Sequence, residues 1–198
     1  MSAETMSYVG QPYEHDVFVS YAHGVVEDDI APLKHWSQRL IVELKASIRN
    51  TAPDFRDLDV FIDLDLDPTR QLTPYLKDKV KKSAILLIVM SPFYLDSDWC
   101  RDEAEWFEEQ IRNRGRNDGL FFVARALPTE RKDWPVYLKD ERGHTLPGFL
   151  FHPEPATDGT RAFGWYHPHV GESEHWPFYK QLYSLSGATI SRLKEIRR

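Results

Sequence analysis

The stretch SDWCRDEAEWF, Ser97 to Phe107, gathers the chain's only cysteine, two tryptophans and four carboxylates into eleven positions. Wound as a helix at about 100° per residue, it places Cys100, Ala104, Phe107 and Ile111 on one apolar stripe. Asp102, Glu105, Glu108 and Glu109 project away from that stripe. Glu103 falls at its edge, one turn after Trp99 and close in angle to Trp106. A carboxylate in that position is partly desolvated and flanked by aromatic surface. On the helix alone it also reads as a boundary glutamate, stem buried and head in water. Cys100 lies near the helix N-terminus, where a thiol pKa can fall far enough to make a nucleophile. Its place on the stripe, with no histidine adjacent in sequence, reads instead as a buried structural cysteine.

Two other groupings carry ligand-type residues. Asp63, Asp65 and Asp67 resemble the start of a calcium loop, but Pro68 stands where the sharp turn needs glycine and Pro74 where the bidentate glutamate belongs. His167, His169 and His175, near Glu172 and Glu174, have the residue types of a zinc-hydrolase site, but no helix or strand fixes their spacing. We assign no metal site and no cofactor.

The elements that must position Glu103 follow from periodicity. Val17–Tyr21 is a β-rich run, and Pro32–Ile48 repeats apolar residues at helical spacing behind a proline suited to the first turn. LDVFIDLDL gives a second strand, and PYLKDKVKK a short helix with Tyr75, Leu76 and Val80 available to the core. SAILLIVMSP is a continuous apolar run, the mark of a strand buried on both faces. After the Glu103 helix come GLFFVARALP and the weaker LPGFLFHP as fourth and fifth strands, then a helix from Pro177. Strands alternating with helices predict an α/β, flavodoxin-like, doubly wound parallel sheet of order 2-1-3-4-5 with helices on both faces. Its crevice opens at the carboxyl ends of strands one and three. SYAHG and SPFYLDSDWCRDE should meet there, which brings Glu103 to the ligand-binding edge.

Composition narrows the rest. A chain of 198 residues, 41% hydrophobic, holds one full core. A net charge of −6 argues against a nucleic-acid binder that relies on broad phosphate neutralisation. One cysteine excludes an intrachain disulfide and suits a reducing compartment. The opening MSAETMSYVGQPYEHD lacks the apolar core of a signal peptide, and Ala84–Met90 is too short to span a bilayer. We therefore expect a cytoplasmic domain without membrane or nucleic-acid partners. Trp36, Trp134, Trp165 and Trp176 read as packing residues.

YEHDVFVSYAH, LDVFIDLDLDP and SAILLIVMSPFYLDSDWCRDEAEW resemble the Toll/interleukin receptor (TIR) family, especially its bacterial and plant-like enzymatic members. The resemblance covers roughly Tyr13 to Pro128. It implies a single TIR domain over 1–198, with a core at 13–128, an irregular extension with the fifth strand at 129–175 and a closing helix at 176–198. It further implies NAD as substrate, cleaved between nicotinamide and ribose to ADP-ribose or a cyclic isomer, in immune or defence signalling. The catalytic glutamate of the family's signature falls on Glu103, and its aromatic neighbour on Trp99. Ser20, Tyr21 and His23 after the first strand would approach the ligand. Asp63, at the end of the second strand, and the loop Leu64 to Thr73 would gate the crevice, and Arg70 in that loop would meet a pyrophosphate. The family also implies self-association through TIR–TIR contacts, and a sensor or effector domain fused to the chain or acting as partner. The loop DLDLDPTRQL lacks the proline-glycine pair of receptor-type members, which weakens the alternative of a non-enzymatic module signalling by homotypic association.

Overall fold

In the computed structural model, residues 7–25, 31–62, 73–115, 119–140, 142–165 and 172–198 are described. Five strands, β1 (His15–Tyr21), β2 (Val60–Ile62), β3 (Ser83–Met90), β4 (Phe121–Arg125) and β5 (Phe149–Leu150), form one sheet of order β2-β1-β3-β4-β5. Every pairing is parallel. The helices are α1 (Pro32–Thr51), α2 (Thr73–Lys81), α3 (Pro92–Leu95), α4 (Asp98–Asn113) and α5 (Glu172–Arg197). This is the flavodoxin-like arrangement expected from the sequence.

All eight residues of β3 are buried, as its unbroken apolar run requires of a central strand covered on both faces. One face carries α1 and α5; Trp36 of α1 and Phe178 of α5 both meet Phe151, just beyond β5. The other carries α2 and α4, with Phe107 of α4 edge-to-face on Phe121 of β4 at 5.2 Å between centroids. Along α1 the expected stripe, Leu33, Trp36, Leu40, Leu44 and Ile48, is buried and joined by Ile41.

Some local expectations change. On α2, Leu76 and Val80 are buried, but Tyr75 is 55% exposed, with the Lys79 ammonium over its ring. Trp176 is 66% exposed, unlike the packed Trp36 and Trp134. The last helix begins at Glu172 rather than near Pro177, which sits in its second turn. A proline is read from sequence as the first residue of a helix because it lacks the N–H an interior position needs.

From Ser7 onward the polar leader is docked onto the domain. Tyr8 stacks on Phe55 with centroids 3.8 Å apart, and the Arg197 guanidinium covers its ring. Asp16, fully buried, fixes this segment: its carboxylate accepts the backbone N–H groups of Tyr8, Val9 and Asp59, each at 2.9 Å. Burial pushes the Asp16 pKa up, more than these three donors lower it. Because the folded value is raised, the stability this carboxyl contributes is fully present below its unfolded pKa and is lost as pH rises through the folded value.

Both Asp16 oxygens accept, so the amide of Asp16→Asn would aim a donor at a donor. The expected loss is about 1–3 kcal/mol of unfolding free energy in a denaturant titration. Asp57→Asn, at an exposed position, serves as control with a change within about 0.5 kcal/mol.

Candidate active site

Local chemistry starts α4 in register with the crevice. The Ser97 hydroxyl accepts the Cys100 N–H at 3.2 Å, an N-cap, and Ser91 caps α3 by accepting from Tyr94. Two capped helix starts in succession turn the chain sharply after β3. They direct the first turns of α4 across the carboxyl edge of the sheet. Before them, Gly24 (φ +73°) closes the loop after β1 against Leu33 and Phe93, where an added Cβ would lie 3.3 Å and 3.5 Å from side-chain carbons. The two segments expected to meet do so.

Glu103 lies deeper than a boundary residue. It is 4% exposed, which removes the reading of a head group reaching into water. Its Oε2 accepts a hydrogen bond from the Ser20 hydroxyl across β1 and α4. Ser20 is itself fully buried, so it stands beneath the carboxylate rather than at a ligand surface. Cys100 and Tyr94 complete the polar nest. The Tyr94 hydroxyl donates to the Cys100 carbonyl at 3.4 Å and lies beside Ser20.

These neighbours are neutral. Burial, and secondarily the charge of Glu103, pushes the Cys100 thiol up to about 12, so Cys100 is no thiolate nucleophile at neutral pH. Burial likewise pushes Tyr94 well above the usual phenol range, and Tyr137 to about 12. The buried Tyr137 hydroxyl lies next to that of Tyr94 but makes no hydrogen bond of normal geometry. Serine has one proton to give, and a carboxylate can only accept it. The Ser20 hydroxyl is thus a neutral donor to this acceptor.

The other predicted residues are not all at this point. Trp99 is partly buried one turn before Glu103, edge-to-face on Trp106 at 6.1 Å, and its buried indole N–H makes no hydrogen bond. His23 is partly exposed beyond the end of β1. Tyr21 is buried, and strand alternation turns it to the face opposite Ser20. Asp63 and Arg70 lie outside the described residues, as do Asp65, Asp67, His167 and His169. Among the described residues no group of three or more histidine, cysteine, aspartate or glutamate side chains could hold a metal ion. Nor is any described helix long and apolar enough to cross a membrane. Sequence reasoning missed Tyr94 and Tyr137; only the Ser91-Pro92 cap signal marks the turn that places Tyr94.

The profile of the family described as TIR domain matches residues 17–146 of the chain. This chain belongs to the TIR domain family. A curated relative, the probable disease resistance protein RPP1 of Arabidopsis thaliana, is 30% identical over 95 residues. That alignment takes in 48% of this chain and 7% of the plant protein. The TIR match contains Ser20, Trp99 and Glu103 together.

Because Cys100 is the single cysteine, its reactivity is read cleanly. At pH 8, iodoacetamide should label the native TIR domain at least about a hundredfold more slowly than the denatured chain, with the rate following transient opening. Labelling of the folded protein as fast as a free thiol would show an exposed or activated sulfur.

Proposed function

We propose that this TIR domain cleaves NAD at the bond between nicotinamide and ribose, releasing nicotinamide and ADP-ribose or a cyclic isomer. Glu103 is the catalytic carboxylate in this reading. The observation that carries it is the Glu103 carboxylate, buried and tethered by Ser20 at the carboxyl edge of the sheet, where this architecture opens its crevice. Plant relatedness to a protein named for disease resistance supports a role in defence signalling.

The chemistry fits one carboxylate. As the C–N bond breaks, its electron pair returns to the pyridinium nitrogen, so nicotinamide departs neutral and needs no general acid. Positive charge moves to the ribosyl carbon and ring oxygen. Glycosidases instead need a second carboxyl group to protonate the leaving oxygen. Glu103 would accept hydrogen bonds from the ribose hydroxyls and stabilise the oxocarbenium-like charge in a water-poor setting. Water or a hydroxyl of the nucleotide then captures that carbon and loses a proton. Trp99 offers a flat apolar wall for the departing ring. Ser20 acts through Glu103 by fixing its orientation, and so is a positioning residue.

Glu103→Gln keeps the shape and removes the charge. Free nicotinamide released from NAD should fall at least about a hundredfold, with the melting transition retained. Asp102→Asn, on the solvated side of α4, should change turnover less than about twofold. Wild-type turnover in folded Glu103→Gln would defeat the assignment and leave the non-enzymatic interaction module as the better account.

Self-association is part of this proposal. An occluded carboxylate implies that the competent conformation is a minor one, and contacts between copies would raise its population. Turnover per molecule should therefore climb with protein concentration, alongside oligomer formation in analytical ultracentrifugation. A monomer whose specific activity stays constant from nanomolar dilution to the solubility limit would exclude it.

A further inference from the structure

A second polar group lies on the same edge of the sheet, two strands away. Ser20 pairs in register with Ile88 of β3, and Arg125, the last residue of β4, with Met90. Ile88 and Met90 alternate to the same face, so Arg125 rises on the face where Glu103 meets Ser20. Two inter-strand steps place β1 and β4 roughly 10 Å apart. Leu150 pairs with Arg125, and His152, two residues beyond it, lies near enough for the Arg125 charge to act on its ring.

Both side chains are buried, Arg125 to 7% and His152 to 2% exposure, and each holds a polar atom without a partner: Arg125 Nε and His152 Nε2. The Arg125 stem is pinned, because a Cβ at Gly148 would come within 3.2 Å of its Cγ and Cδ. Its Nη2 donates to Glu154 Oε1 at 2.5 Å, yet the Glu154 side chain is 50% exposed. Arg131, exposed alongside, also acts on the Glu154 charge and helps to hold its pKa below the usual carboxylate range. The His152 Nδ1–H donates to the Pro153 carbonyl at 2.9 Å, which leaves Nε2 as the acceptor of the neutral ring. Burial depresses the His152 pKa and keeps the ring neutral.

A pinned buried cation, an unused guanidinium donor and an imidazole acceptor form a binding set whose anion is supplied by a half-exposed surface carboxylate. We propose that Arg125 and His152 bind a phosphorylated ribose, and that Glu154 occupies the phosphate position until the ligand displaces it. The phosphate takes the guanidinium; a sugar hydroxyl donates to His152 Nε2. Carboxylate and phosphate oxygens compete for the same planar fork, so Glu154 sets the apparent affinity as an internal inhibitor. The ligand could be one half of a dinucleotide reaching from the Glu103 end of the crevice, or a free sugar phosphate. This goes beyond the proposed NAD cleavage and stands without it, since binding is measured in the absence of turnover.

The test titrates ribose 5-phosphate and inorganic phosphate into the intact chain by isothermal calorimetry. Glu154→Ala, at an exposed side chain, should tighten both about tenfold, the gain expected when a competitor occupying the site nine-tenths of the time is removed. Arg125→Lys keeps the buried charge but loses the fork and should weaken both at least about tenfold. His152→Asn retains a donor for Pro153 and lacks the Nε2 acceptor; it should erase the preference for ribose 5-phosphate over inorganic phosphate. Unchanged affinity in Glu154→Ala would overturn the proposal and make the pair a structural tie between β4 and the segment after β5. KM values then separate the sources. A dinucleotide half is indicated if Glu154→Ala lowers KM for NAD but not for nicotinamide riboside. A free sugar phosphate is indicated if ribose 5-phosphate binding tightens with both KM values unchanged.

Discussion

Everything in this TIR domain hangs on the complete burial of β3. Its eight residues pair with β1 on one side and β4 on the other, and helices cover both faces. A strand buried in this way satisfies its backbone groups only through the two parallel ladders, so its neighbours cannot slip without stranding polar groups in the core. That requirement fixes the register of Ser20 against Ile88 and of Arg125 against Met90. The polar chemistry at the carboxyl edge is thus located by an apolar strand that takes no direct part in it.

Above that frame, charge is handled by two contrasting means. At Glu103 the buried carboxylate accepts from a neutral donor, Ser20, with Tyr94 and Cys100 nearby. At Arg125 the buried cation is matched by a formal charge brought in from the surface. A buried charge held by an ion pair must release its partner before it can take another. Asp16 follows the first pattern with three backbone N–H groups, yet it lies where β1 meets the docked N-terminal segment and serves to close the fold.

Much of this was legible in the chain because its causes are local. SAILLIVM declares a doubly buried strand, and the stripe Cys100, Ala104, Phe107, Ile111 sets the rotation of α4 and so singles out Glu103 among its acids. The depth of Glu103 was not legible, because it depends on a hydroxyl 83 positions earlier in the chain. The docking of Ser7–Tyr13 was hidden for the same reason: Tyr8 finds Phe55 and Arg197, neither near it in sequence. Trp176 and Tyr75 misled in the opposite direction, since a large ring says how much surface it would bury and not whether a partner is present.

The far side of the sheet is closed by means unrelated to its interior. β5 has only two residues; the N–H of Leu150 is taken by the Gln181 side chain of α5, and the carbonyl of Phe151 by the N–H of Phe163 at 2.6 Å. An outer strand with free backbone groups is a template on which a foreign chain can continue the ladder, the route by which many α/β domains polymerise out of control when concentrated. Here the Leu150 N–H and the Phe151 carbonyl are already engaged by the protein's own groups. Those engaged groups favour contacts between gathered copies there through side-chain surfaces, and such contacts can come apart again.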